Sequence, residues 1–163
     1  MKAKSSPKMR RRRRWTKVPI SVHKEPVILV HKRYLRLSDS KKKVVYFVRG
    51  NKDHKYRFGR SRILYIGRTE KAGARPFDSL KARARDLLDI HGMKDLEIVY
   101  IEGRPKQNVN IAEKLENACL WEFRAQFGEL PVANTQGEHL QLTDEERYVN
   151  LQRIRDTLRE LSR

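Results

Sequence analysis

Three observations predict an α/β chain of the α+β type, with a small three-stranded, mainly antiparallel sheet flanked by helices and a basic disordered N-terminal arm. First, β-branched and aromatic runs recur at 44–49, 62–67 and 96–101, each with the length and composition of a strand. Second, stretches between and after these runs carry helical periodicity behind N-terminal cap residues. Third, residues 1–16 hold Arg10, Arg11, Arg12, Arg13 and Arg14 in succession with little apolar surface, too little to fold alone. At 163 residues the chain has room for one domain with a real core.

The elements follow in order. Pro19 and Pro26 punctuate an extended basic segment, 17–42, in which 26–37 reads as an edge strand and 38–43 as a polar break. The first strand, 44–49, leads into 50–61, polar, basic and bracketed by Gly50 and Gly59, which predicts a long hairpin loop carrying Lys55, Arg57 and Arg60. The second strand, 62–67, is expected antiparallel to the first. Gly73 and Pro76 bar a helix from 68–77. A helix then starts from a cap at Asp78 or Ser79 and runs to about Ile90, with Gly92 just past its end. The third strand is 96–101. Asn110 with Glu113 forms a capping-box signature for a helix ending near Phe127, 128–142 is irregular, and Thr143 with Glu146 opens a final helix to about Leu161. The expected organisation is a basic arm over 1–16, an extended segment over 17–42, a folded domain over 43–136 and a helical extension over 137–163.

Charge narrows the class of partner. The chain has 38 Lys and Arg against 20 Asp and Glu, a net of +18. Residues 1–43 alone hold 16 Lys and Arg against Glu25 and Asp39, whereas residues 86–163 carry 15 acidic and 10 basic groups. A polyanion should therefore meet the N-terminal half, with the Arg run neutralising phosphates by counterion release. A targeting segment, nuclear or organellar, is the alternative reading of that run. One cysteine, Cys119, excludes an intramolecular disulfide and a multi-cysteine zinc site. The expected location is intracellular, cytoplasmic or nucleoid-associated. No apolar run approaches the ~18 residues of a membrane span, so no membrane partner is expected.

Two helices place charge where core is expected. On a wheel of about 100° per residue, Ala112, Cys119, Leu120, Phe123 and Phe127 fall within about 60° of Glu116. Glu113 lies at the border and Glu122 points away. A carboxylate facing a core needs a cation, a metal or a cleft that reaches water. In the preceding helix Arg83 falls between Leu87 and Ile90 on the apolar arc. Arg83 and Glu116 could pair as a structural salt bridge, or line one cleft in which Arg83 holds a phosphate and Glu116 a divalent ion.

These features form an ordered set. Val44-Val45-Tyr46-Phe47-Val48, then Tyr65-Ile66-Gly67-Arg68-Thr69, an inward Arg, an inward helical Glu and a late Asn resemble the GIY-YIG nuclease family over roughly residues 43–136. The resemblance implies a DNA endonuclease. Tyr46 would deprotonate or position the attacking water, with Arg68 and Arg83 as cations to assist it. Tyr65 would line the same site, Gly67 would admit the substrate and Arg68 would be the basic residue after the motif. Arg83 would bind the scissile phosphate, Glu116 would ligate Mg²⁺ or Mn²⁺, and Asn134 would close the site. Val44 stands where the family has its first glycine, and Leu87 where some members carry a His or Tyr. Spacing from Gly67 alone points to Arg75 as the helix Arg, but Gly73 and Pro76 favour Arg83, which leaves Arg75 as a DNA contact beside Lys55, Arg57 and Arg60.

The expected activity is thus metal-dependent hydrolysis of double-stranded or branched DNA. The rival is a nucleic-acid-binding protein without catalysis, either a decayed nuclease or a ribosomal-protein-like RNA binder. In the last helix Arg147, Leu151, Ile154, Leu158 and Leu161 form a narrow seam at alternating steps of four and three, which either packs on the parent domain or pairs two subunits.

Overall fold

A computed structural model of the chain describes residues 20–25, 44–69, 83, 86–89, 91–103, 110–135 and 140–163. The expected α+β class holds. Strands β2 (Val44–Tyr56), β3 (Gly59–Arg68) and β4 (Leu96–Gly103) form the antiparallel centre, and β1 (Ile20–Glu25) adds to the β4 side, giving the order β1-β4-β2-β3. An edge strand thus lies at 20–25, within the segment expected to be extended. The segment 26–37 is outside the described residues, as are Arg10 to Arg14 and Arg75.

The hairpin differs from its prediction. Instead of a long loop over 50–61, both strands run on to a tight turn at Arg57 and Phe58. The register shifts between Val48 and Arg49 and again between Arg49 and His54, irregularities that bend and twist a ladder. Polar composition misled the reading because this part of the hairpin projects beyond the main sheet, where its side chains meet water on most sides.

The central strands are buried on both faces. Val45, Phe47, Val99 and Ile101 pack with Leu115, Cys119 and Phe123 of helix α1 (Ile111–Phe127). Tyr46, Val48, Ile98 and Tyr100 face the opposite way and pack with Leu87 and Met93. Such central strands read as near-continuous apolar runs because each of their faces meets a layer. Helix α1 spans almost the predicted range, but the capping box does not form: the Asn110 amide donates to Glu113 Oε2 at 3.2 Å rather than the side chain accepting a backbone N–H. Its C-terminus closes on Gly128, whose φ of 81° favours glycine.

The single final helix is two, α2 (Glu145–Tyr148) and α3 (Leu151–Leu161), broken at extended Val149. Asn150 caps α3 by accepting from the Arg153 N–H. Glu145, rather than Glu146, makes the local bonds, accepting from the backbone N–H groups of Thr143 and Asp144 at 2.7 and 3.1 Å. Ile154, Leu158 and Leu161 join the core beside α1, so these residues of the seam pack within the protomer. No helix among the described residues is long and apolar enough to cross a membrane.

Glu145 also anchors α2 to α1. It accepts from Asn117 at 3.3 Å and lies 3.5 Å from Lys114 Nζ, which also contacts Asp144. Burial opposes its ionisation, but the backbone bonds, Asn117 and Lys114 together outweigh burial and pull its carboxyl down to about 2. A depressed folded-state value stabilises the fold at pH above the ordinary 4.5 and loses that contribution as pH falls towards 2. We expect about 3 kcal/mol of acid-labile stability from this group. Urea denaturation between pH 6 and pH 2 should show a steep loss in the wild type, and Glu145→Gln should flatten that limb while lowering the neutral plateau.

Candidate active site

Tyr46, in the middle of the sheet, stands opposite Gly67 in the β2–β3 register. Its ring is 3% exposed and lies 5.8 Å, centroid to centroid, from the ring of Tyr65, tilted by 44°. Gly67 is what allows this pair. A Cβ there would stand 2.7 Å from Tyr65 Cε1 and 2.9 Å from both tyrosine hydroxyls. The glycine expected to admit a substrate thus makes room first for the protein's own two phenols. Gly67→Ala should displace the rings, lowering stability by about 1–3 kcal/mol and altering the near-ultraviolet circular dichroism of the tyrosines. An unchanged melting curve and spectrum would show that the pair tolerates the methyl.

Arg68 follows at the end of β3 and reaches across to α1. Its Nη1 is 2.9 Å from Glu116 Oε2 and 3.9 Å from Glu113 Oε1. Two of the expected site residues, Arg68 and Glu116, therefore form an ion pair with each other, whereas Arg83 donates to Thr135 Oγ1 at 3.2 Å. The salt bridge weighed between Arg83 and Glu116 is replaced by Arg68–Glu116.

Glu116 sits near the border of the buried arc of α1 instead of its centre, with its side chain 18% exposed. The reason is that α1 is covered on two sides, by the sheet and by α3. That second cover also buries Glu122 completely, although the wheel points it to water. Glu122 takes a bidentate pair of bonds from Arg155, at 2.9 Å each. Nothing local in the sequence distinguishes Glu122 from a solvated charge; only the docking of α3 does.

Asn134 does not point its amide at an open cleft. Its Oδ1 accepts from the Ile66 N–H at 2.9 Å and its Nδ2 donates to the Ile66 carbonyl at 2.7 Å, while Ala133 N–H donates to Leu64 O at 3.0 Å. The carboxamide thus pairs with the free edge of β3 as a neighbouring strand's peptide would. The same short segment presents Thr135 to Arg83, so it ties the helical stretch to the strand that carries Tyr65, Gly67 and Arg68. Asn134 is a positioning residue, and Thr135 is a site neighbour that no sequence motif signals.

Electrostatics join the parts. Burial pushes the Tyr46 hydroxyl well above the usual phenol range, and Tyr65, through its charge and a shared hydrogen bond, and Glu116 push the same way; Arg83 opposes them without prevailing. Three of the expected site residues thus act on the Tyr46 hydroxyl. The expectation that cations lower its pKa is reversed, because burial dominates and the Glu116 charge adds to it. Tyr46 is a neutral hydroxyl here.

Among the described residues no three His, Cys, Asp or Glu side chains come together as a metal site. Glu116 and Glu113, one turn apart and both facing Arg68, are hard oxygen donors of the kind that suit Mg²⁺ or Mn²⁺ when water and phosphate oxygens complete the shell. Lys55, Arg57 and Arg60 are exposed toward the turn of the hairpin, at the end opposite the Tyr46–Gly67 pairing. No family model matches the chain, and neither a curated protein nor a solved structure matches it.

Proposed function

We propose that this protein is a metal-dependent DNA endonuclease of the GIY-YIG type. The observation that carries this reading is the Tyr46–Tyr65 phenol pair packed over Gly67, with the opposite charges of Glu116 and Arg83, from two further elements, both acting on the Tyr46 hydroxyl. A passive nucleic-acid binder has no need of a buried phenol pair that feels both a carboxylate and a guanidinium.

The residues divide the work. Arg83, tethered to Thr135, offers its planar fork to the scissile phosphate and stabilises charge developing on it. Arg68 compensates Glu116 before DNA arrives and turns part of its charge to the phosphate afterwards. A phenol held neutral suits hydrogen-bonding the attacking water through Tyr46 Oη rather than removing its proton unaided. Glu116, with Glu113 nearby, would hold the divalent ion, which supplies Lewis-acid polarisation of a phosphate oxygen when bound. Asn134 holds β3 in place.

The test is cleavage of supercoiled plasmid and branched DNA in Mg²⁺ or Mn²⁺ against EDTA, beside Tyr46→Phe and Glu116→Gln. Metal-dependent products lost in both variants are expected. Binding without cleavage under every metal would favour the non-catalytic reading, to which the Arg68–Glu116 ion pair also lends itself as a purely structural link.

A further inference from the structure

The turn of the β2–β3 hairpin carries an exposed aromatic ring. Phe58 is the one large apolar side chain among the described residues that is mostly exposed, at 64%. It is also firmly mounted. The Phe58 N–H donates to the Phe127 carbonyl at 3.0 Å, and the Arg57 N–H donates to Glu129 Oε1 at 2.8 Å. The edge of the ring lies against Gly128, where a Cβ would stand 2.7 Å from Phe58 Cδ2. Gly128 is therefore required twice, by its positive φ and by the ring. A hairpin tip bonded in this way to the end of α1 presents its side chain at little further entropic cost.

The surroundings are basic. Lys52, Lys55, Arg57 and Arg60 are all exposed on this hairpin, against Asp53, 3.8 Å from Arg60, and Glu129. The Arg57 guanidinium carbon lies 5.5 Å from the centre of the Phe58 ring, a position from which it can yield to a base and turn to a phosphate. An exposed aromatic among cations on a strongly basic chain matches the chemistry of a nucleobase with its flanking phosphates.

We propose that Phe58 is a stacking platform for an unpaired base of single-stranded DNA, with Lys55, Arg57 and Arg60 on the flanking phosphates. The axial rise from Glu116 to Phe127 is about 16 Å, and Phe58 is bonded at the Phe127 end, so the ring stands at the end of α1 remote from Glu116. The inference rests on charge and exposure, not on cleavage.

The experiment uses the full chain in EDTA, so that failure of the nuclease reading leaves it intact. The probe is a single-stranded DNA dodecamer containing 2-aminopurine, whose fluorescence falls on stacking. Phe58→Ala should weaken binding about tenfold and abolish the protein-induced fluorescence change. Phe58→Trp should keep both. Phe58→Leu, which retains apolar bulk against Gly128, should behave like Phe58→Ala, and none of the three should change the salt dependence, since no charge is removed. If Phe58→Ala lowers the melting temperature, the comparison of the Leu and Trp variants decides. Wild-type affinity in Phe58→Ala, or affinity restored by Phe58→Leu, would overturn the proposal and leave the ring as an apolar contact of another kind.

Discussion

Glu116→Gln should reduce metal-dependent cleavage by about 10³-fold, the order of loss expected when charge stabilisation is removed from a transition state, while DNA binding in EDTA stays level or tightens slightly. The asymmetry follows from what the amide keeps and loses. Its oxygen still accepts the bond that Arg68 Nη1 makes at 2.9 Å, so the local geometry survives. The negative charge does not, so a hard cation loses its anchor and the Arg68 charge becomes more available to phosphate. Burst-free initial rates on plasmid, with anisotropy titrations on the same oligonucleotide, separate the two effects. Loss of DNA binding together with a lowered melting temperature would instead make the carboxylate an anchor for Arg68 and nothing more.

Arg49→Met should cost about 3 kcal/mol of stability, the usual penalty for breaking a buried, hydrogen-bonded charge pair. Arg49 ends the apolar run of β2 and is 7% exposed. Its Nη1 meets Glu97 Oε2 at 2.5 Å in the facing position on β4, and its Nε donates to the Leu161 carbonyl at 2.6 Å. Burial works to lower its pKa and the Glu97 charge works against that. The guanidinium thus satisfies one of the last carbonyls of α3, a group a helix cannot satisfy itself. The end of α3 is held further by the Arg62 N–H to the Ser162 carbonyl at 3.1 Å and by the Ser61 and Ser162 hydroxyls at 2.8 Å. Urea denaturation should register the loss, and amide exchange should accelerate first at residues 158–163. Glu97→Gln should cost less, because Arg49 keeps Leu161. Equal costs for the two variants would mean that the ion pair, and not the link to α3, holds the energy.

Several features of the site are legible from side-chain type and spacing. The three central strands are apolar over consecutive residues because both of their faces are covered, and such runs announce themselves in any chain. Arg83 and Glu116 also stand out, since a charge on an apolar arc is an anomaly at the level of one helix. Glu122 escapes the same test. Its neighbours on α1 do not predict that α3 will lie over it, and its partner Arg155 is 33 residues away. Asn134 reads as a site residue from its place in the motif order, yet its two amide groups spend themselves on the backbone of Ile66. The Phe58 turn hides inside a polar segment whose composition is that of a loop, although the backbone pairs through it.

What the sequence by itself determined is the class of fold, the central strands, the extent of α1 and the basic character of the N-terminal half. These depend on local periodicity and on residue chemistry, which act over one or two turns or a single strand. The tertiary structure decided who pairs with whom. It set Arg68 on Glu116, Arg83 on Thr135 and Arg155 on Glu122, raised the Tyr46 hydroxyl through burial, and split the last helix so that its seam closes on α1. Pairing between charges depends on distances fixed only when separate elements dock, and the strength of each charge depends on how much water that docking expels.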